Sequence, residues 1–201
     1  VHEFFNGTFQ VQGNDRTLAE LEALPRNSWV ACVDDLAIQE TPGAHRAKPG
    51  ELDPMERLAD QIIEMNLGHR YWMQVRADNV VRNPRKCEKW AEAGLDTTLV
   101  GLESFDQADL NSVSKGTKSN DNQKAIEILH SFGVRIWGAV LVFQDWTEAN
   151  FSNLKQKVHE YEIEFPQFTI LTPLPGTGQW DATEHKLLTK THQFFDFLHS
   201  V

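Results

Sequence analysis

The sequence predicts an α/β fold built on a parallel sheet, and three observations carry that prediction. Five β-rich runs alternate with amphipathic helical stretches at spacings of roughly 25–40 residues, the pattern of βαβ units. Several helical stretches end at a glycine followed at once by a β-rich run, as at Gly68, Gly94 and Gly133. In the run Tyr71–Asp78, period two puts Trp72, Gln74, Arg76 and Asp78 on one face and Met73, Val75 and Ala77 on the other. Central strands of an open doubly wound sheet have two apolar faces. A long polar face favours a curved, barrel-like sheet whose lumen holds a ligand.

The elements follow in order. The first strand is expected over Trp29–Asp35. Asp53-Pro54 should start a helix as N-cap and first helical residue, with Glu56 at the capping-box position, Leu58, Ile62 and Met65 as its buried stripe, and Gly68 at its end. The strand Tyr71–Asp78 follows, then a helix from Asn83-Pro84 with Cys87, Trp90 and Ala91 on one face and Gly94 at its end. Next come the strand Thr97–Ser104, a helix striped by Ala125, Ile128, Leu129 and Phe132, and the strand Val134–Phe143. Thr147 should cap a helix bearing Phe151, Leu154, Val158 and Tyr161; the strand Phe168–Thr172 and a terminal helix with Leu187, Phe194 and Leu198 complete the pattern.

Composition narrows the class. The 201 residues carry 29 acidic against 19 basic side chains, a net charge of -10, which argues against general nucleic-acid binding. A hydrophobic share of 40% with 10% aromatics is enough for a packed core, so the chain is read as one domain over 1–201. No apolar run reaches the length of a membrane span, and Val1–Phe5 lacks the marks of a signal peptide. Two cysteines 55 positions apart form neither a disulfide framework nor a metal knuckle, which fits a reducing cytoplasm.

In parallel α/β folds ligands bind beyond the carboxyl ends of the strands. Those ends carry Asp34 and Asp35; Gln74, Arg76 and Asp78; Gly101, Glu103 and Ser104; Gln144 and Asp145; and Thr169–Thr177. A strand glycine such as Gly101 often marks close approach of a ligand. Each group also has a plainer role. Asp34 and Asp35 could cap the next segment, and Arg76 could form an ion pair with Asp78 or Glu103. Ser114-Lys115-Gly116 could be an exposed helix end, and Cys32 and Cys87 read as packed thiols. His185, His192 and His199 fall in the terminal helix with no converging carboxylate or cysteine, so no metal ligand is assigned.

Taken together and in order, Val33-Asp34-Asp35, Trp72–Asp78, Ala93-Gly94-Leu95, Gly101-Leu102-Glu103-Ser104, Ser114-Lys115-Gly116 and Leu171–Thr177 resemble the radical S-adenosylmethionine (SAM) superfamily. The likeness is strongest to the branch that often carries an upstream cobalamin-binding domain, including hopanoid C-3 methylase-like proteins; Leu187-Leu188-Thr189 and Phe195–His199 also fit it. The resemblance implies a partial (βα)6 TIM-like barrel, a [4Fe-4S] cluster that binds SAM, and reductive cleavage to a 5′-deoxyadenosyl radical, with methyl transfer as one outcome. It implies SAM contacts at Asp34, Asp35, Gln74, Arg76, Glu103, Ser104, Lys115 and Thr172. It also implies a small, apolar or lipid-like substrate, a reductant protein, and cobalamin as an option in the whole protein. The Cys-x3-Cys-x2-Cys loop that holds the superfamily's cluster is absent, and Val1–Thr8 resembles the aromatic segment that follows it. The expectation is therefore a chain that lacks the first strand and cluster loop and is inactive alone. A second departure is Val142–Asp145, where many relatives carry a glycine.

Two other readings stand beside this one. The first is a cluster-free barrel acting as a small-molecule binding or interaction module. The other is a metal-dependent hydrolase or lyase using Asp34, Asp35 and Glu103 as oxygen ligands.

Overall fold

β-branched and aromatic runs pair side by side while the amphipathic segments cover one face of the sheet they form. The computed structural model describes residues 13–32, 38, 47–112 and 119–198. Among them the strands are β1 (Trp29–Cys32), β2 (Arg70–Arg76), β3 (Leu95–Glu103), β4 (Arg135–Val142) and β5 (Phe165–Ile170). They pair in sequence order, all parallel. The helices are α1 (Asn14–Glu22), α2 (Pro54–Met65), α3 (Ala77–Arg82), α4 (Pro84–Glu92), α5 (Gln107–Ser112), α6 (Ser119–Ser131), α7 (Glu148–Glu160) and α8 (Gly178–Thr183). Every crossover carries at least one helix, as parallel pairing requires. The fold is α/β with a curved, unclosed parallel sheet, a partial barrel among the described residues.

The two sheet faces differ as the alternation in β2 predicts. Tyr71, Met73, Val75, Val100, Ile136 and Val140 are buried against the helix layer, with Leu58, Ile62, Trp90, Ala125 and Leu129 packed on them. On the opposite, lumen face, the register sets Gln74, Leu99, Trp137 and Phe165 in one row. The next row towards the strands' C-terminal ends is Arg76, Gly101, Ala139 and Gln167. Trp72 and Trp137 meet edge to face at 6.0 Å, Phe165 lies 6.4 Å from Trp137, and the Trp137 indole donates to Gln167 Oε1 at 2.7 Å. The lumen thus has an aromatic floor.

Several buried positions carry a polar atom without a hydrogen-bond partner, Tyr71 among them. The Tyr71 side chain is 1% exposed and its hydroxyl makes no hydrogen bond. Burial, with Cys32 nearby, pushes its pKa up to about 12. An unpaired buried hydroxyl costs about 1–3 kcal/mol. Tyr71→Phe is therefore expected to leave stability unchanged or to raise it by about 1 kcal/mol in urea unfolding. A loss above about 1 kcal/mol would show that the hydroxyl has a partner.

At the N-terminal ends of the strands, Asp96 pairs with both Arg70 (3.1 Å) and Arg135. The Thr97 hydroxyl donates to it at 2.6 Å. Arg70 and Arg135 in turn lie over Trp29 and Phe165. Burial alone would raise the Asp96 carboxyl, but the Thr97 hydroxyl and the two guanidinium groups outweigh it and hold the pKa below 3.8. A lowered folded-state pKa stabilises the fold above the unfolded value, and that contribution is lost as pH falls through the folded value. The acid limb of stability below about pH 4 should flatten in Asp96→Asn. Identical acid limbs in the two proteins would count against this role.

Several element boundaries differ from expectation. Asp53 caps α2, its Oδ1 accepting from Met55 N at 2.9 Å with Pro54 in the first turn, but Glu56 completes no capping box: it pairs with Arg85 at 3.4 Å. Asn66, in the left-handed region at φ 46°, caps α2 ahead of Gly68. Strand β2 stops at Arg76, so Ala77 and Asp78 open α3 instead of extending the strand. Strand β5 starts three residues and ends two residues earlier than expected. The terminal helix is the clearest correction. Residues 178–198 hold only the six-residue α8 and two single 3-10 turns, Glu184–Lys186 and His192–Phe194. Leu188 is 84% exposed, and the β-branched Thr189 and Thr191 interrupt the stretch, so no packed face sustains a longer helix.

Candidate functional site

The carboxyl ends of β2 and β3 carry three of the expected residues, Gln74, Arg76 and Glu103. Gln74 and Arg76 project from the lumen face of β2, and Arg76 stands directly beside Gly101 of β3, where no side chain intervenes. The Gln74 amide is half-buried, with no hydrogen-bond partner among the described residues. Arg76 is oriented by Asp78: its Nε donates to Oδ1 at 3.0 Å, and Arg82 holds the same carboxylate from the far side. Asp78 is one of the two ion-pair partners that the sequence suggests for Arg76.

At the end of β3 the ladder breaks. Gly101 pairs with Ala139 and Glu103 with Val140, so Leu102 is the extra residue of a bulge. Glu103 is buried with φ 59°, and Ser104 N donates back to Leu102 O at 2.7 Å. Glu103 is thus the centre of a γ-turn of the rare positive-φ kind.

The O–H groups of Ser104 and Thr172 donate within the protein, leaving acceptor capacity on each oxygen. Ser104 Oγ donates to Asp109 Oδ2 at 2.7 Å and accepts from Asp106 N at 3.0 Å. Thr172 Oγ1 donates to Ile170 O at 3.0 Å. Both residues are buried at the rim. Asp109 also accepts from the Trp146 indole at 3.2 Å, tying the loop after β3 to the loop after β4, where Trp146 stacks on Phe143. Asp34, Asp35 and Lys115 lie outside the described residues, as do Ser114, Gly116 and His199.

Two structural residues at this rim escaped the sequence reading, Asp109 and Asn122. Asn122, one turn into α6, is fully buried and donates from Nδ2 to Leu102 O (2.7 Å) and Ser104 O (2.8 Å). Its partners lie 18 and 20 positions earlier, and no local pattern marks such a pairing.

The donor set fits one of the expected groups and not the other. A free amide at Gln74, a guanidinium at Arg76 and a carboxylate at Glu103 match the hydroxyls, carboxylate and ammonium of an amino-acid nucleoside such as SAM. An iron–sulfur cluster open to SAM needs three thiolates, and the chain has two cysteines. Cys87 is buried on the inner face of α4, its thiol pushed up to about 12 by burial, and burial raises Cys32 as well. These residues do not fit the cluster, and no step through one is derived from them. Among the described residues, no helix is long and apolar enough to cross a membrane.

No family model matches the chain. It is 24% identical over 198 residues to hopanoid C-3 methylase of Methylococcus capsulatus, across 98% of this chain and 36% of that protein. It is 32% identical over 120 residues to bacteriochlorophyllide d C-8(2)-methyltransferase of Chlorobaculum tepidum, across 55% of this chain and 26% of that one. Among solved structures it resembles the radical SAM methyltransferase TsrM from Kitasatospora setae, with cobalamin and a [4Fe-4S] cluster bound, at a TM-score of 0.56 and 14% identity, across 66% of this chain and 28% of that chain. It also resembles the cobalamin-dependent radical SAM enzyme OxsB at 0.55 and 18% identity, across 92% and 27%. The chain spans about a third or less of the length of these proteins.

Proposed function

We propose, on the premise that this chain is kin to the radical SAM enzymes of the branch that includes hopanoid C-3 methylase-like proteins, that it forms the SAM-holding, substrate-lining wall of an enzyme acting on a small molecule. Methyl transfer is the reaction class its relatives' names favour. The observation that carries this reading is that Gln74 and Arg76 on β2 and Glu103 on β3 stand at or near the carboxyl ends of two neighbouring strands, with Gly101 leaving room beside the guanidinium.

In this reading Arg76, held in place by Asp78, takes the carboxylate of SAM. Glu103 takes the ammonium and Gln74 the ribose hydroxyls, while Ser104 and Thr172 hold the rim in shape. Asp34, Asp35 and Lys115 remain in the proposed contact set. The aromatic floor of Trp72, Trp137 and Phe165 keeps water from the inner end of the lumen and offers an apolar surface to the substrate. Bound SAM supplies an activated methyl group and, when reductively cleaved, a 5′-deoxyadenosyl radical. The two cysteines of this chain do not make a cluster site, so the cluster, the reductant protein and cobalamin are no part of what these residues are proposed to hold.

The test is equilibrium dialysis of labelled SAM against the intact gene product, reconstituted anaerobically. Arg76→Met is expected to weaken binding about tenfold, the loss of one charge-assisted pair. Unchanged affinity would remove Arg76 from the site. Adding reductant should release 5′-deoxyadenosine; binding without release would favour the binding-module reading.

A further inference from the structure

Glu103 is an acidic side chain held at φ 59°, a conformation that a non-glycine residue adopts only at a cost. Such strain persists only where surroundings enforce it. The enforcing contact here is Asn122. Its amide group donates both hydrogens, one to Leu102 O and one to Ser104 O, the carbonyls on either side of Glu103. Both partners are acceptors, so the amide orientation is fixed by chemistry. Its own Oδ1 is buried without a hydrogen bond. A core site needing only volume would not hold an amide with an orphaned oxygen, since an unpaired buried polar atom is destabilising. The geometry therefore selects the NH2 group as what the site requires.

We propose that Asn122 is a positioning residue that presents the Glu103 carboxylate to the ligand, acting from α6 through the two carbonyls of the γ-turn. The proposal rests on the reading that Glu103 contacts SAM. Asn122 touches no ligand itself. It converts the end of β3 from an alternating strand into a fixed bend, and Asp109 secures the following residue through Ser104.

The experiment is a double-substitution cycle on the intact gene product, reading the dissociation constant of SAM by equilibrium dialysis. Asn122→Ala should weaken binding about tenfold when Glu103 is present. Asn122→Asp, which keeps the shape but lacks the NH2 group, should do the same, which separates donor loss from a cavity. In a Glu103→Gln background, Asn122→Ala should change affinity by less than about twofold, because its effect passes through Glu103. Thermal melts confirm that each variant is folded; if the alanine variant is not, Asn122→Ser, which keeps one donor, replaces it in the cycle. Losses that add independently of Glu103, or an unchanged affinity in both Asn122 variants, would overturn the positioning role. A parent protein that binds no SAM, or a Glu103→Gln variant that binds it as well as the parent, would instead overturn the underlying reading and this inference with it.

Discussion

Gly94→Ala is expected to destabilise the fold by about 3 kcal/mol or more, with no part of the lumen touched. Gly94 joins α4 to β3 with φ 108°, a conformation that L side chains rarely adopt. A Cβ there would sit against the His69 carbonyl oxygen, closer than real Cβ atoms approach any neighbour. The obstacle is backbone at the start of β2, and it cannot swing aside as a side chain would. Relief would have to break the bond from Tyr71 N to Gly94 O (2.9 Å), the first rung between β2 and β3. The same addition at Gly133, where φ is also positive but nothing lies within 4 Å, should cost only about 1 kcal/mol. Urea unfolding of the two variants checks the contrast, and equal losses would refute the backbone-collision argument.

Lys86→Ala is expected to cost about 3 kcal/mol. Lys86 lies in the first turn of α4 yet is only 5% exposed, and its Nζ is 3.0 Å from Asp53 Oδ2. Asp53 serves two helices at once, its other oxygen capping α2 at Met55 N. Removing the ammonium leaves a largely buried carboxylate without that counter-charge and removes the stem that packs between the two helix starts. Replacing both partners behaves differently, because a buried ion pair gains little over a well-packed neutral pair. Lys86→Met combined with Asp53→Asn keeps an N-capping side chain and should recover stability to within about 1 kcal/mol of the parent. Urea unfolding is the measurement; a Lys86→Ala loss below about 1 kcal/mol would show that the pair is not effectively buried.

The parts of this fold that depend on short-range periodicity were legible before the structure. Met73 and Val75 are buried and Gln74 and Arg76 face the lumen, because β-strand alternation forces neighbours to opposite faces. Asp53-Pro54 and Thr147 begin helices for reasons contained in a few adjacent residues. The Arg76–Gly101 adjacency depends on a register shift at Tyr71/Trp72 that the sequence does not mark. What else was not legible depends on long-range accounting. That Ser104 is tied to Asp109 and Trp146, and that Asn122 clamps β3, reflects which buried polar atoms find partners in three dimensions. The expected terminal helix failed for a related reason: the spacing of Leu187, Phe194 and Leu198 allows an apolar stripe, but the fold offers it no surface to cover.

The paired indoles of the lumen also give this protein an optical readout of its own. Trp72 is two residues from Gln74 on the same strand face, and Trp137 shares a row with it across the sheet. Light absorbed by either ring reports the polarity of the space above the sheet. Occupation of the lumen should therefore register as a change in intrinsic emission, without any label attached to the ligand, and a Trp137→Phe variant would identify which ring carries the signal.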